Sequence, residues 1–482
     1  MVDPILDGFR HPCAEFRGAP FWSWNGKLDI EELRRQIHVM NDMGLGGFFM
    51  HSRVGLATAY MSEQWMACIE ACVDEAESLG MRAWLYDEDR WPSGAAGGLV
   101  TSNPDYQQRA LYLTATRDPA TIQRGETTLG ICTARIQGPL ATDVRWLADG
   151  DMPRLGNDEC MLHFHVERDP PHSWYNGHTY LDTLNADAVN EFIEQTHAKY
   201  ADRFASRFGT VIPGIFTDEP QHQAKGIRSA GEDGLPSGHL PWTVRLPEVF
   251  LERYGYELPP HLMELFFDVE GMAMSRARYH FHDCVAHLFV DAFARRIGEW
   301  CDEHNLLHTG HLMEEPPLVR QASKVTNCMR FYEYMQAPGM DLLTQYNAEY
   351  DTAKQVSSVA RQFGRRWRLT ETYGVTGWDF PWVGHKALGD WQAALGINLR
   401  CQHLSWYTME GQAKRDYPAS MLHQSPWWPH YDKVESYFGR INAIISRGTE
   451  CRDLLMIHPI ESTWTQIRAD WPQNPEAVSL QS

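Results

Sequence analysis

Two stretches of this 482-residue chain put carboxylates where apolar runs stop. In GIFTDEPQH, residues 214–222, the run ends in Asp218 and Glu219, with Pro220 directly behind them. In RWRLTETYG, residues 366–374, another run ends at Glu371. Adjacent carboxylates repel, and burying one is costly unless it is paired or put to use. A solvated strand end accounts for Glu219 without any function, and an ion pair with Arg368 does the same for Glu371. Two acids delivered to one cleft from opposite sides of a barrel would instead make a catalytic pair. One would protonate a leaving oxygen, and the other would attack or activate water, as cleavage of a glycosidic bond requires. Asp218 and nearby Trp residues could keep the acid Glu219 protonated near neutral pH. His and carboxylates in HLMEE and DEPQH also have the donor types of a metal site.

Other apolar runs end in similar residues. The run at 18–25 closes with Trp22, Trp24 and Asn25; that at 44–55 carries His51 and Arg53. The run at 81–94 breaks into Asp87, Glu88, Asp89, Arg90 and Trp91, and that at 306–315 holds His308, His311, Glu314 and Glu315. Gln345 and Tyr346 end the run at 340–347, and His403, Trp406 and Tyr407 end the run at 399–407. Solvent exposure alone does not explain so many aromatics and His among acids. His51, Asp87, Glu88, Arg90, His311, Tyr346, His403 and Tyr407 are expected to grip hydroxyls, with Asn25, Asp218 and Glu314 beside them. Trp24, Trp91 and Trp378 are expected to stack on sugar faces. The DEDRW stretch reads equally as a structural ion-pair cluster around Arg90.

The elements that must position these residues alternate. Short apolar runs precede amphipathic helices, such as the one after Asp29 with Ile30, Leu33, Ile37 and Met40 on one face. Eight strand-then-helix units predict an α/β fold, a (β/α)8 TIM barrel over residues 1–450, whose active site lies at the C-terminal strand ends. A doubly wound open sheet is the alternative, but no GxGxxG turn is present. Residues 105–182 predict a β-rich insertion after strand three, and 221–270 a helical insertion after strand four. The stretch CRDLLMIHPIESTW (451–464) predicts a further strand, so that 451–482 begins a following domain or a C-terminal extension.

Composition narrows the function. The chain is 43% hydrophobic and 22% charged, ordinary for a globular protein. A net charge of −20 argues against nucleic acid or an anionic membrane as partner. The 18 Trp, 19 Tyr and 20 Phe raise the expectation of a carbohydrate ligand. Ten Cys without CxxC spacing read as reduced, buried thiols. The opening MVDPILDGFRHP has no secretory pattern, and no apolar stretch is long enough to span a bilayer, so a cytoplasmic location is expected. The oligomeric state is left open.

The stretches RGAPFWSWNGKL, GGFFMHSR, FTDEP, TETYG and KRDYPAS…PWW resemble the barrel of large bacterial glycoside hydrolases of the family 106 α-L-rhamnosidase type, over residues from about 18 to 450. The resemblance implies hydrolysis of an oligo- or polysaccharide by an inverting mechanism and leaves room for calcium near the sugar; no cofactor is otherwise expected. A β-galactosidase-like retaining hydrolase and a non-catalytic carbohydrate-binding barrel are the alternatives. Carboxyl separation discriminates, at about 5–5.5 Å for retention and 6.5–9.5 Å for inversion.

Overall fold

A computed structural model describes residues 4–222, 226–228, 234–344 and 350–468. Its centre is a parallel sheet of strands β1 (Phe21–Gly26), β2 (Gly47–Leu56), β3 (Arg82–Tyr86), β4 (Gly214–Asp218), β5 (Leu307–His311), β6 (Ala337–Asp341) and β7 (Leu369–Thr372). The eighth strand, β8, comes in two pieces, Leu399–Gln402 and Ser405–Trp406. The first piece pairs with β7 and the second with β1, so nine paired segments run round to a nearly closed barrel. The outer helices form where the sequence periodicity places them. Ile30–Asp42 begins where the Asp29 carboxylate accepts the Glu32 N–H at 3.0 Å, and it buries Leu33, Ile37 and Met40.

Alternation along each strand separates two buried layers. Phe21, Phe49, Trp84, Phe216, Leu369 and Cys401 pack together inside the barrel. Trp22, Trp24, Phe48, Met50 and Ile215 point outward to the helices. Glycine sets the strand spacing at one critical place. Gly310, with φ +122°, lies beside Thr217, and a Cβ there would meet the Thr217 carbonyl oxygen at 1.9 Å. Only glycine lets β5 approach β4 this closely.

The closure is held by a buried carboxylate. Glu435, on the last long helix (Asp432–Ile445), accepts from the Arg400 guanidinium at 2.7 Å, from Gln402 at 2.9 Å and from the Gly18 N–H at 2.7 Å. Both charged side chains are nearly solvent-free. Glu435→Ala strands the Arg400 charge, and loss of one partner of a buried pair costs about 3–5 kcal/mol. A urea unfolding curve should show that drop in stability; a change below about 1 kcal/mol would show that the clamp is dispensable.

A second sheet carries seven strands in the order Asp268–Val269, Leu140–Trp146, Thr128–Gln137, Glu159–Arg168, Arg109–Thr116, Ser237–Trp242 and Gly226–Arg228. The segment expected to be a helical insertion therefore supplies strands as well as helices Leu246–Tyr254 and Leu262–Phe266. Two other expectations need correction. β6 spans 337–341 and ends at Asp341; it is not the run at 340–347, of which 345–347 lie outside the described residues. The stretch expected to begin a further strand has no regular structure over 449–459, and Leu454, Leu455, Met456 and Ile457 are 84–92% exposed. The helix Ile460–Trp464 follows, with Trp464 buried and its Nε1 donating to the Thr326 carbonyl at 3.2 Å.

Candidate active site

The C-terminal ends of β4, β5, β6 and β7 bring four carboxyl groups around one histidine. Asp218 and His311 are register partners on β4 and β5, and Asp341 and Glu371 are register partners on β6 and β7. His311 Nε2 lies 2.6 Å from Glu371 Oε2 and 3.6 Å from Asp218 Oδ1. Glu371 Oε1 is 3.6 Å from His403 Nε2. The Tyr86 hydroxyl donates to Asp218 Oδ2 at 2.7 Å, and His51 Nε2 stands 3.8 Å from the same oxygen.

This arrangement separates the protonation states. Burial works against a charge on His311, but Glu371, with its hydrogen bond, then Asp341 and Asp218, hold the imidazole well above its usual pKa. Burial also raises Glu371, and the His311 charge opposes the rise. The attraction between them favours a proton on His311 and a carboxylate on Glu371. Burial would likewise raise Asp218, yet His51, His311 and the Tyr86 hydroxyl keep it below the ordinary carboxyl value. His51 and His403 are driven down by burial and stay neutral.

Glu219 takes the opposite course. It follows β4 directly, half-buried, at φ +47°, and its N–H donates to the His311 carbonyl at 3.1 Å. A left-handed backbone is strained for a side chain of this kind, and such residues cluster at functional sites. Burial first, then the charge of Asp218, push the Glu219 carboxyl up to about 8.

Beneath the acids lies a polar floor. Asp87 accepts from Ser93 Oγ at 2.5 Å and from Thr217 Oγ1 at 2.6 Å, and Ser93 Oγ in turn accepts the Asp218 N–H at 2.8 Å. Asp87 thus sets the height of Asp218. Glu88 serves the adjoining loop, its two oxygens accepting from the N–H groups of Asp89, Gly94, Ala96 and Gly97 at 2.6–2.9 Å. Both acids are committed to the protein itself and do not present free oxygens to a ligand, contrary to the expectation of hydroxyl grip.

The rim is aromatic and cationic. Arg53 is bidentate to Asp416 at 3.1 Å and lies 4.1 Å from the centre of the Trp91 ring. Trp91 packs edge-on against Trp174, whose Nε1 donates to the Trp91 carbonyl at 2.6 Å. Arg90 pairs with Asp89 and with Asn176. Trp378, 37% exposed, donates to the Lys414 carbonyl at 3.0 Å and ties the loop after β7 to the loop after β8. Glu314, at φ +55°, is bound by Arg320 at 2.6 Å.

Three expected ligand contacts lie elsewhere. Trp24 is fully buried against Trp22 and Trp65 and presents no surface for stacking. Asn25 spends its amide on the Thr408 backbone, at 2.9 and 3.2 Å. The Tyr407 hydroxyl accepts the Asp29 N–H at 3.0 Å and secures the start of the first barrel helix. Tyr346 lies outside the described residues. Sequence reading missed Asp341, Tyr86, Ser93 and the Asp416 partner of Arg53. The Asp ending APGMD was the available signal for Asp341.

Two groups in the cluster could share an ion: Asp218 with His311 and Glu371, and Glu219 with His311 and Asp341, each with donor atoms within 4.8 Å of one another. Calcium takes about six to eight oxygens. Each group offers two carboxylates and an imidazole already engaged by Glu371, so calcium there would need further oxygens from outside the group. A cavity of about 210 Å³ at the other end of the barrel, beside Arg17, Trp84 and Trp367, holds a single acid, Glu15, which is paired with Arg366 at 3.2 Å. The cluster of acids and histidines lies at the C-terminal end. No helix among the described residues is long and apolar enough to cross a membrane.

Comparison with family models gives no match, and comparison with curated protein sequences gives none either. Solved structures do match. A rhamnosidase from Novosphingobium sp. PP1Y superposes with a TM-score of 0.67 at 13% identity, over 92% of this chain and 61% of that one. A polyextremophilic beta-galactosidase from the Antarctic haloarchaeon Halorubrum lacusprofundi gives 0.48 at 13% identity, over 95% and 63%. The chain thus spans about three fifths of the length of these two structures. At this identity the likeness is one of fold: a mixed α/β chain built on a TIM-like barrel of the kind found in the rhamnosidase.

Proposed function

We propose that the chain is a glycoside hydrolase acting on an oligo- or polysaccharide, with Glu219 as general acid and Glu371 as base or nucleophile. The observation that carries this reading is two carboxyls with different surroundings at one barrel mouth, one beside Asp218 and the other beside the His311 ring. Glu219 is pushed up to about 8 and keeps its proton at neutral pH. Glu371 is held at 2.6 Å from the His311 imidazolium. Carboxyl groups in such different surroundings can divide into an acid and a base. Trp91 and Trp378 at the rim offer ring faces on which a sugar can stack, and Arg53 holds Trp91 in place. The fold shared with a rhamnosidase puts α-L-rhamnosides first among the substrates to try.

A panel of nitrophenyl glycosides tests the reading. Wild type should cleave at least one class, and the anomer first released, followed by proton NMR, gives retention or inversion. Sugar binding without cleavage of any member, or of any natural oligosaccharide, would replace the hydrolase by a carbohydrate-binding barrel.

A further inference from the structure

Asp341 is an acid in the cluster whose hydrogen-bond partners are incomplete. Its N–H donates to Glu315 Oε2 at 2.8 Å, which fixes the end of β6. Glu315 is itself satisfied, accepting also from the Tyr332 hydroxyl and the Leu312 N–H. The Asp341 side chain is half-buried at the mouth of the barrel, with its carboxyl within 4.8 Å of donor atoms of both Glu219 and His311. Its Oδ1 is shielded from water and receives no hydrogen bond from the protein. Three other carboxyls here have a hydrogen-bond donor: Asp218 has Tyr86, Glu371 has His311, and Asp87 has Ser93 and Thr217. Burial and then the charge of Glu371 raise Asp341 well above the usual carboxyl range. A half-buried carboxyl at the barrel mouth, with one oxygen that lacks a protein donor and with the acid and the imidazolium beside it, is a place where a donor from outside the protein can complete the set.

We infer that Asp341 is a substrate-binding residue, whose carboxyl anchors a hydroxyl of the sugar unit at the scissile bond. This rests on the glycosidase reading for the identity of the donor, since a sugar is what would bring a hydroxyl to Glu219. The anchor also serves discrimination. A site built around a hydroxyl rejects the analogue that lacks it, because the buried acceptor is then left unpaired. Glu219 and Glu371 act on the bond, and Asp341 decides which sugar is seated when they do.

The test is isothermal titration of free neutral hexoses and 6-deoxyhexoses into wild type and Asp341→Ala, with thermal unfolding of both proteins in the absence of sugar. The variant should bind the preferred sugar at least 10-fold more weakly. Its unfolding midpoint should change little, because Oδ1 receives no hydrogen bond from the protein to lose. A series of mono-deoxy analogues should contain one whose affinity is the same for both proteins, which identifies the anchored hydroxyl. Unchanged affinity in a folded Asp341→Ala overturns the anchor and leaves the hydrolase reading intact. Sugar binding that depends on Asp341, in a wild type that cleaves no glycoside, removes the hydrolase reading and keeps the anchor. A lower midpoint with unchanged affinity makes Asp341 structural, and a wild type that cleaves a glycoside yet binds no free sugar overturns the anchor alone.

Discussion

Glu219→Gln should nearly abolish cleavage of a natural oligosaccharide while sparing part of the activity on a nitrophenyl glycoside. The substitution keeps the size of the side chain and its place after β4. It removes the transferable proton. Positioned proton transfer is worth roughly 10²–10⁴-fold, and that factor should be lost in full where the leaving group is a sugar hydroxyl. A nitrophenolate departs without much help, so its cleavage should fall far less. The pH profile gives a second, independent readout. The acid form of Glu219 exists below its pKa, pushed up to about 8, so kcat/KM on a sugar leaving group should decline as pH rises through that value. Asp218 is the second cause of the elevation after burial. Asp218→Asn removes a neighbouring negative charge, makes the Glu219 anion easier to form, and should move the alkaline limb to lower pH. Equal loss on both substrate types in Glu219→Gln, or an alkaline limb that stays in place in Asp218→Asn, would take the acid role away from Glu219.

How much of this site was legible in the sequence depends on which physical signal each residue gives. Parallel strands covered on both faces read as apolar runs, which is why TDEP, HLMEE and TETYG could be placed at strand ends. β6 gave no such signal. Ala337–Asp341 reads APGMD, and Pro338 and Gly339 look like a turn. The glycine is there because a Cβ would meet the Gly310 carbonyl oxygen at 2.5 Å, a long-range packing demand that no local pattern expresses. The more apolar run that follows drew the strand forward, and Asp341 was passed over. Trp24 failed for a different reason. Side chains alternate along a strand, and Trp24 falls on the same outward side as Trp22, between barrel and helices. The alternation was readable, but its phase was not, because β1 is buried on both faces. Glu88 could not have been resolved at all from local sequence. Its partners are N–H groups up to nine residues on, brought round by the loop that follows β3. The strand-end rule thus finds the neighbourhood of the chemistry, while the division into acid, floor and loop clamp comes from tertiary contacts.

The His311–Glu371 pair makes the other large prediction. Glu371→Gln should depress activity on natural and nitrophenyl substrates alike, by roughly 10²–10⁴-fold, because the lost group acts on the anomeric carbon or its attacking water and not on the leaving group. The pair also has a signature that does not depend on turnover. Glu371 is the largest of the influences that raise His311 against its burial. An amide in its place offers no negative charge, so the imidazole should lose its proton at lower pH. The sign follows from the wild-type state: an imidazolium stabilised by a carboxylate at 2.6 Å becomes easier to deprotonate when that carboxylate is neutralised. Titration of the His311 ring by NMR should therefore show a downward shift in Glu371→Gln relative to wild type, with Asp218 and Asp341 still present to keep part of the elevation. His403 provides the internal control. It stands 3.6 Å from the other oxygen of Glu371, but burial already holds it well below its usual value, so it should remain neutral in both proteins. If Glu371→Gln spares nitrophenyl substrates as Glu219→Gln does, the two acids have been assigned the wrong way round. If activity falls while His311 titrates as before, the ion pair is not what holds the Glu371 carboxylate ready, and its charge must be accounted for by Arg53 and the remaining cluster.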